Sequence, residues 1–561
     1  RLSDEVQNLR ADASNQISEK VTTINALIKR IDQLNPEIIR QEVVGGETGA
    51  LKEQRSQALS QLAKLVDIRA HDQPNGSVQV TTVDGTVLLG GVRVELKYSS
   101  PGSVTSETQF SPITAHNVDP NTGELDTNGA VIDGSLRGGE LKGLLNMRDN
   151  TLPDMAAELG RLGTDVMGEI NAIHNTNSAY PPPNSLTGTN SGLLGSDAHG
   201  FAGEAAFVVT DNTGTVVARS DVDFDALAAG TPFSTVIANV NAALGGAGTV
   251  ALNNGTLSFN AANANHGVAV SQDPNDPAVR GGKGLSDFFG LNDLIAAKVS
   301  GQYATGFKPA DDHGFTPGGS ISFNVIGPNN STAQSYTQTI APGDFNSILS
   351  DLNGGAALGD YFTFTMNGDG EVTATPKPGF EDFRLTVKSD STARGGTSRS
   401  FSQIFGIGER YLADAASGMA VLNSFVKNPG LMAVGRFEHN TAVGSIGISA
   451  GDNEGAQALQ SLELAVRSVE AAGDLGAFNG TLSQYGASIL SNMGLKAQQA
   501  TSSETDKTAL ANEIASRKSD VQGVNLDEEL SNMVIYQNSY NASARIISTV
   551  RELYDTLLNV V

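Results

Sequence analysis

From Leu526 to Val561 the chain places an apolar residue at every third or fourth position, and no Gly or Pro interrupts it after Gly523. Leu526, Leu530, Met533, Tyr540, Ala544, Ile547, Tyr554, Leu558 and Val561 form one row, broken only by Gln537 and Arg551. Ile546, Val550, Leu553, Leu557 and Val560 form a second row beside it. Spacings of three and four put such residues on one face of an α-helix, and two adjacent rows exceed what a single partner helix covers. The segment 521–561 is therefore expected to be a terminal helix that packs on something outside its own fold. Its assembly seam is read as Leu526, Leu530, Met533, Tyr540, Ile547, Val550, Tyr554 and Leu557, with the polar breaks suited to fixing register.

A chain of 561 residues exceeds what one core organises, so several domains are expected. Residues 1–70 read as two long helices, the first carrying Val6, Leu9, Ala13, Ile17, Val21, Ile24, Ile28 and Ile31 on one stripe. Asn35-Pro36 is expected to kink or end that helix. At Val66 the period changes to two, with Asn75-Gly76, Asp84-Gly85 and Gly90-Gly91 as turns, giving a β-rich arm over 71–140. Residues 141–180 return to helix, broken early by Pro153, and Tyr180-Pro181-Pro182-Pro183 reads as a stiff linker. Residues 412–520 are helical again, including Ala456–Ala472 and Leu482–Lys518. The expected fold is α+β and multidomain: a long-helix bundle made from both chain ends, with inserted β-rich modules.

The modules themselves carry an internal duplication. Ser286-Asp287-Phe288-Phe289-Gly290-Leu291 matches Ser402-Gln403-Ile404-Phe405-Gly406-Ile407 at an offset of 116, which also relates Phe207 to Phe323. Phe233, Val236, Ile237 and Val240 share helical spacing with Phe345, Ile348, Leu349 and Leu352, and Asn254-Gly255 and Asn367-Gly368 mark turns. These landmarks divide the region into repeats over 197–297 and 303–411, with Gly306–Gly319 as the linker.

Chemistry is sparse. The net charge of −25 disfavours nucleic acid and anionic membranes as partners, and the absence of cysteine removes thiolate sites and disulfides. No apolar run approaches the roughly 20 residues that span a bilayer. Asp119, Asn121, Gly123, Asp126 and Asn128 have the acidic spacing of a calcium loop, but Ala130 and Val131 stand where its bidentate acid belongs, so turns are expected. Asp311-Asp312-His313 is expected to be a solvated loop, and Gly281-Gly282-Lys283-Gly284 lacks the spacing of a phosphate loop. Asn330-Ser331-Thr332 and Asn479-Gly480-Thr481 fit a glycosylation pattern too short to carry weight. No catalytic residue, cofactor or metal site is expected.

Asn525-Leu526-Asp527-Glu528-Glu529-Leu530, followed by Tyr536-Gln537-Asn538-Ser539-Tyr540-Asn541-Ala542-Ser543-Ala544-Arg545-Ile546-Ile547, closely resembles the C-terminus of the flagellar axial proteins, and most of all their hook-associated group. Arg137-Gly138-Gly139-Glu140-Leu141, Arg148-Asp149-Asn150-Thr151-Leu152-Pro153 and Gly451-Asp452-Asn453 are similar to that group too. The resemblance covers 1–180 and 430–561 and leaves 197–411 outside. In this family an N-terminal helix pairs with the C-terminal one, so a segment before Arg1 is expected. The resemblance implies a non-enzymatic structural subunit joining hook to filament, extracellular and exported by the flagellar secretion system. Its implied partners are copies of itself, the hook protein, the next hook-associated protein towards the filament, and an export chaperone on the C-terminal region. Nucleic acid and membrane insertion are not implied. A flagellin or hook protein of the same family is the nearest alternative; an exported adhesin or carbohydrate-active protein acting through 197–411 is the alternative of another class.

Overall fold

The computed structural model describes the chain except residues 1, 107, 299–302, 329–331, 356–357, 523–525 and 561, and except the side chains of 409–411, 518–522, 526 and 557–560. It divides into two units, Arg1–Ile489 and Leu490–Val561.

The first unit begins with helices α1 (Leu2–Val43) and α2 (Gly49–Leu65), which pack side by side. Helix α1 continues through Pro36 to Val43, so the helix does not end there. Proline removes one backbone donor, but Leu34 and Ile38 on either side of it are fully buried. Asn35 is no cap: its amide donates to Val78 O at 3.0 Å, and its Oδ1 accepts from Val78 N at 3.1 Å and from Arg55 at 3.0 Å. That side chain pairs with the first residue of β2 (Val78–Thr82), the central strand of a sheet with β1 (Ile68–Asp72) and β3 (Val87–Leu89), where β3 does not reach. Asn25 does the same for β4 (Val94–Lys97), exchanging two 2.8 Å bonds with Leu96; β5 (Thr114–Asn117) and β6 (Ala130–Val131) complete that second sheet. The arm is thus laid along α1, and the two share one apolar core.

Helices α3 (Gly139–Asn146) and α4 (Leu152–Thr176) are joined by a π turn at Met147–Thr151, so the irregularity expected at Pro153 falls just before it. Arg148 in that turn is fully buried, bonded to both oxygens of Asp149 at 2.7 Å and stacked on Phe110.

Two β modules follow. The first comprises β7 (Ser185–Asn190), β8 (Glu204–Thr210), β9 (Val216–Asp223), α5 (Phe233–Ala243), β10 (Gly248–Asn253), β11 (Thr256–Ala261), β12 (Gly267–Gln272), the short pair β13 (Val279–Arg280) and β14 (Lys283–Gly284), α6 (Leu285–Phe289) and β15 (Ile295–Ala296). The second comprises β16 (Ser320–Ile326), β17 (Thr332–Thr339), α7 (Phe345–Leu352), β18 (Phe362–Met366), β19 (Val372–Pro376), β20 (Arg384–Asp390) and α8 (Phe401–Phe405). Strand order β12-β8-β9 in the first has its counterpart in β20-β16-β17, and the hairpin β10-β11 in β18-β19. Both α6 and α8 end on a left-handed glycine at φ 59°, Gly290 and Gly406, a conformation that favours Gly. Asn241 exchanges two bonds with Val250, and Asn353 exchanges two with Phe364.

The segment Gly306–Gly319 joins the two modules by way of their common core. Phe307 and Phe315 lie in the core common to both modules, and His313 is 1% exposed, where a solvated loop was expected. His313 Nδ1 accepts from Phe315 N at 3.0 Å, and His199 Nδ1 accepts from Phe201 N at 3.1 Å. The two loops, Asp197-Ala198-His199-Gly200-Phe201 and Asp311-Asp312-His313-Gly314-Phe315, are read alike in sequence and held alike. Each module's buried arginine bonds a carbonyl of its own loop and a carbonyl elsewhere in the other module. Arg280 donates to His199 O at 2.7 Å and Thr305 O at 3.0 Å, and Arg394 donates to His313 O at 2.9 Å and to Gly192 O. The Phe307 ring receives both guanidiniums, at 5.0 and 4.3 Å from its centroid.

The return segment holds α9 (Glu409–Ala415), β21 (Ala420–Val421) paired with β15, α10 (Asn423–Lys427), α11 (Glu454–Ser461), the hairpin β22 (Arg467–Val469) and β23 (Phe478–Gly480), and the start of α12 (Leu482–Gln522). The helix expected over Ala456–Ala472 therefore ends at Ser461. Pairing of Val469 with Phe478, and packing of Val469 on Tyr485 and Ile489, outweigh the local helical spacing. Helix α9 lies so close to α4 that a Cβ at Gly160 would stand 1.7 Å from Leu412 O. Polar residues at the end of α4 latch the first module. Asn171 accepts from Leu294 N and Ile295 N, Asn175 donates to Asp293, and His174 Nε2 accepts from Ala433 N while Nδ1 donates to Asn292 O. Burial pushes the His174 pKa down, keeping the imidazole in this neutral role.

Candidate assembly interface

The second unit contains the rest of α12 and helix α13 (Leu526–Val560). Nothing in the sequence of α13 breaks a helix, and Asp527, Glu528 and Glu529 in its first turn suit the positive end of the helix dipole. The seam residues with described side chains, Leu530, Met533, Tyr540, Ile547, Val550 and Tyr554, are all solvent-exposed, from 47% for Val550 to 76% for Tyr540. Leu526 and Leu557 lie on the helix, but their side chains are outside the described residues.

Spacing alone understated the apolar surface. Val534, Ile535 and Tyr536 are exposed as well, outside the seam row, and Leu490, Leu495, Leu510 and Ile514 are exposed along α12. Met533, Tyr536, Gln537 and Tyr540 line one open groove together with Glu529, Asn532 and Asn541. The polar break at Gln537 is thus flanked by the rings of Tyr536 and Tyr540. A helix that leaves this much apolar area in water gains little by folding alone. Burying each Leu-sized side chain against a partner stabilises by about 1.5–3 kcal/mol.

The other candidates have structural explanations. Asp119 Oδ1 accepts from Asn121 N and Thr122 N, making a turn, and the Asp126 carboxylate is occupied by Asn117 and His116. Gly281 and Gly282 turn the β13-β14 hairpin at positive φ, and burial pushes the neighbouring Lys283 ammonium down to about 8. Asn330 lies outside the described residues, and Asn479 is in β23. Among the described residues one set of metal-ligating side chains converges, Glu204, Asp273 and His439, which the sequence did not single out because they are far apart along it. No helix of the described residues is long and apolar enough to cross a membrane.

Residues 1–181 match the flagellar hook-associated protein FlgK helical domain, and residues 521–560 match the flagellar basal body rod FlgEFG protein C-terminal domain. Curated relatives include flagellar hook-associated protein 1 of Salmonella typhimurium, 34% identical over 82 residues, 15% of each chain. That of Bacillus subtilis is 32% identical over 75 residues, covering 13% of this chain and 15% of the relative. That of Escherichia coli is 29% identical over 109 residues, 19% of each. The matches thus span less than a fifth of the length of these relatives. Among solved structures, the flagellar hook junction protein FlgK from Burkholderia pseudomallei aligns with a TM-score of 0.39 and 18% identity, over 93% of this chain and 86% of that one.

Proposed function

We propose that the chain is of the flagellar hook-associated protein 1 type, a reading supported by the domains matched at its two ends, and that it is a structural subunit joining hook to filament. The single observation carrying this reading is α13, whose apolar face is exposed within the subunit and lies in the stretch matching the flagellar C-terminal domain. Leu526, Leu530, Met533, Tyr540, Ile547, Val550, Tyr554 and Leu557 would form the seam between subunits. Copies of the chain, the hook protein and the next hook-associated protein towards the filament are its partners, and an export chaperone covers the C-terminal region before secretion to the cell exterior. The role needs no catalysis, nucleic acid or membrane insertion.

The modules 197–297 and 303–411 arose by duplication; their shared strand order and the paired arginine contacts support that origin.

The test is Leu530→Asp and Ile547→Asp, introduced separately. Both side chains are exposed in the subunit, so each variant should match the parent in circular dichroism and unfolding while cells carrying it lose filament attachment and swimming. Retained motility in either variant would remove the seam from the proposal.

A further inference from the structure

We propose that Glu204, Asp273 and His439 form a binding site for a divalent cation of the zinc or manganese class, which fastens the 435–451 loop to the first β module. Glu204 opens β8, Asp273 directly follows β12, and His439 belongs to the return segment. One ligand atom from each lies within 4.8 Å of the others. Since β8 and β12 are neighbours in the ladder, with Ala205 opposite Gln272, the two carboxylates sit one step beyond a shared rung on a rigid support.

The histidine is prepared for the task. His439 is 7% exposed, and its Nδ1 lies 3.2 Å from the Oγ of Ser271, itself buried on β12. A metal-binding imidazole is commonly oriented in this way through its second nitrogen. The charges also call for a cation. Glu204 stands directly opposite Asp223 across the β8-β9 ladder, a like-charge pairing that is unfavourable without compensation. Arg219, further along β9, is engaged by Asp221 and by the carbonyl of Thr441. Two carboxylates and a neutral imidazole carry two negative charges, the complement of a divalent ion. Their nitrogen and oxygen donors suit zinc or manganese, while the chain has no cysteine for softer metals. Three protein ligands leave the remaining positions to water.

The loop already clips onto the module through backbone bonds, Val216 N to Ser445 O, Gly444 N to Val216 O, and Gly447 N to Gly214 O. A cation held by Glu204, Asp273 and His439 adds a further attachment at the opposite edge of the same sheet.

The experiment uses the untagged full chain, stripped with a chelator and titrated calorimetrically with zinc and, separately, manganese. One equivalent should bind at micromolar affinity or better, weakened at least tenfold by His439→Ala and by Glu204→Gln but unchanged by Asp221→Asn. Hydrogen exchange in 435–447 should slow on zinc addition in the parent and not in His439→Ala. If His439→Ala loses its cooperative unfolding, Asp273→Asn carries the same comparison. Absence of binding by both metals, binding unaffected by the ligand substitutions, or unchanged exchange in the loop would each overturn the proposal.

Discussion

Asp197 of the first β module accepts two hydrogen bonds from Arg394 of the second, at 2.8 and 3.0 Å, across the junction between them. Arg394 is fully buried, its guanidinium also bonded to His313 O and stacked 4.3 Å from the Phe307 ring centroid. Such a fork carries geometry that a lysine cannot reproduce, and breaking a buried pair leaves an uncompensated charge.

Asp197→Asn and Arg394→Lys should therefore each destabilise the chain by about 3 kcal/mol. Urea unfolding followed by far-UV circular dichroism measures it. A loss below about 1 kcal/mol in both, the range of exposed pairs, would show that the bridge is dispensable.

Asp133 should oppose stability at neutral pH. Its Oδ1 accepts from Ile113 N at 2.8 Å, its buried Oδ2 has no hydrogen-bond partner among the described residues, and burial pushes its carboxyl up to about 6. A folded-state pKa above the unfolded value means the native chain binds more protons between about pH 4 and 6, so this group's contribution improves as pH falls through that window and is fully present below it. The ceiling is about 3 kcal/mol at about 1.4 kcal/mol per pH unit. Asp133→Asn keeps the Ile113 bond and should stabilise by about 2 kcal/mol at pH 7, after about 1 kcal/mol for the unpaired amide. The advantage should vanish by pH 4 in parallel chemical melts; an advantage independent of pH would contradict this account.

Gly160→Ala should separate α4 from α9. The added Cβ would meet the Leu412 backbone oxygen at 1.7 Å, which no rotamer change relieves. A loss of about 3 kcal/mol or more is expected, with Gly143→Ala, where nothing lies within 4 Å, as the neutral or stabilising control. Thermal melts of the two variants decide it.

Amides of residues 526–560 should exchange rapidly in the isolated chain and become protected on assembly. Most helical stability in proteins comes from packing an apolar face, and Leu530, Tyr540 and Ile547 are exposed here. Strong protection in the isolated chain would mean that the helix is stabilised without a partner.

Periodicity carried the helices well where one face is buried. Val6, Ala13, Ile17, Val21, Ile24, Ile28 and Ile31 are all buried as the α1 stripe requires. Leu9 is 44% exposed because Arg10 takes the inward place, bonding Arg148 O. The β22-β23 hairpin was illegible because three-residue strands are too short to establish a period, and the Leu459, Leu462, Val466 and Val469 spacing mimics a helix. Gly473 at φ 55° and Gly476 were its available signals.

Apolar landmarks aligned the two β modules, but polar loops concealed their joint. Hydropathy treats Asp311-Asp312-His313 as solvated, whereas backbone bonds to Phe315 N and Ala341 O allow the imidazole to be buried. The same Asp-x-His-Gly-Phe order around His199 was the sequence signal for it. The α13 seam was legible as a pattern; its occupant is not encoded by spacing.

The crossed placement of Arg280 and Arg394 has a thermodynamic consequence. Each arginine bonds a backbone carbonyl of the other module, and the phenylalanines of both fill a single core. Neither half retains its interior once the other is lost, so their cooperativity is joint: the inserted region should melt in one transition instead of two, and damage at either arginine should register in both halves at once.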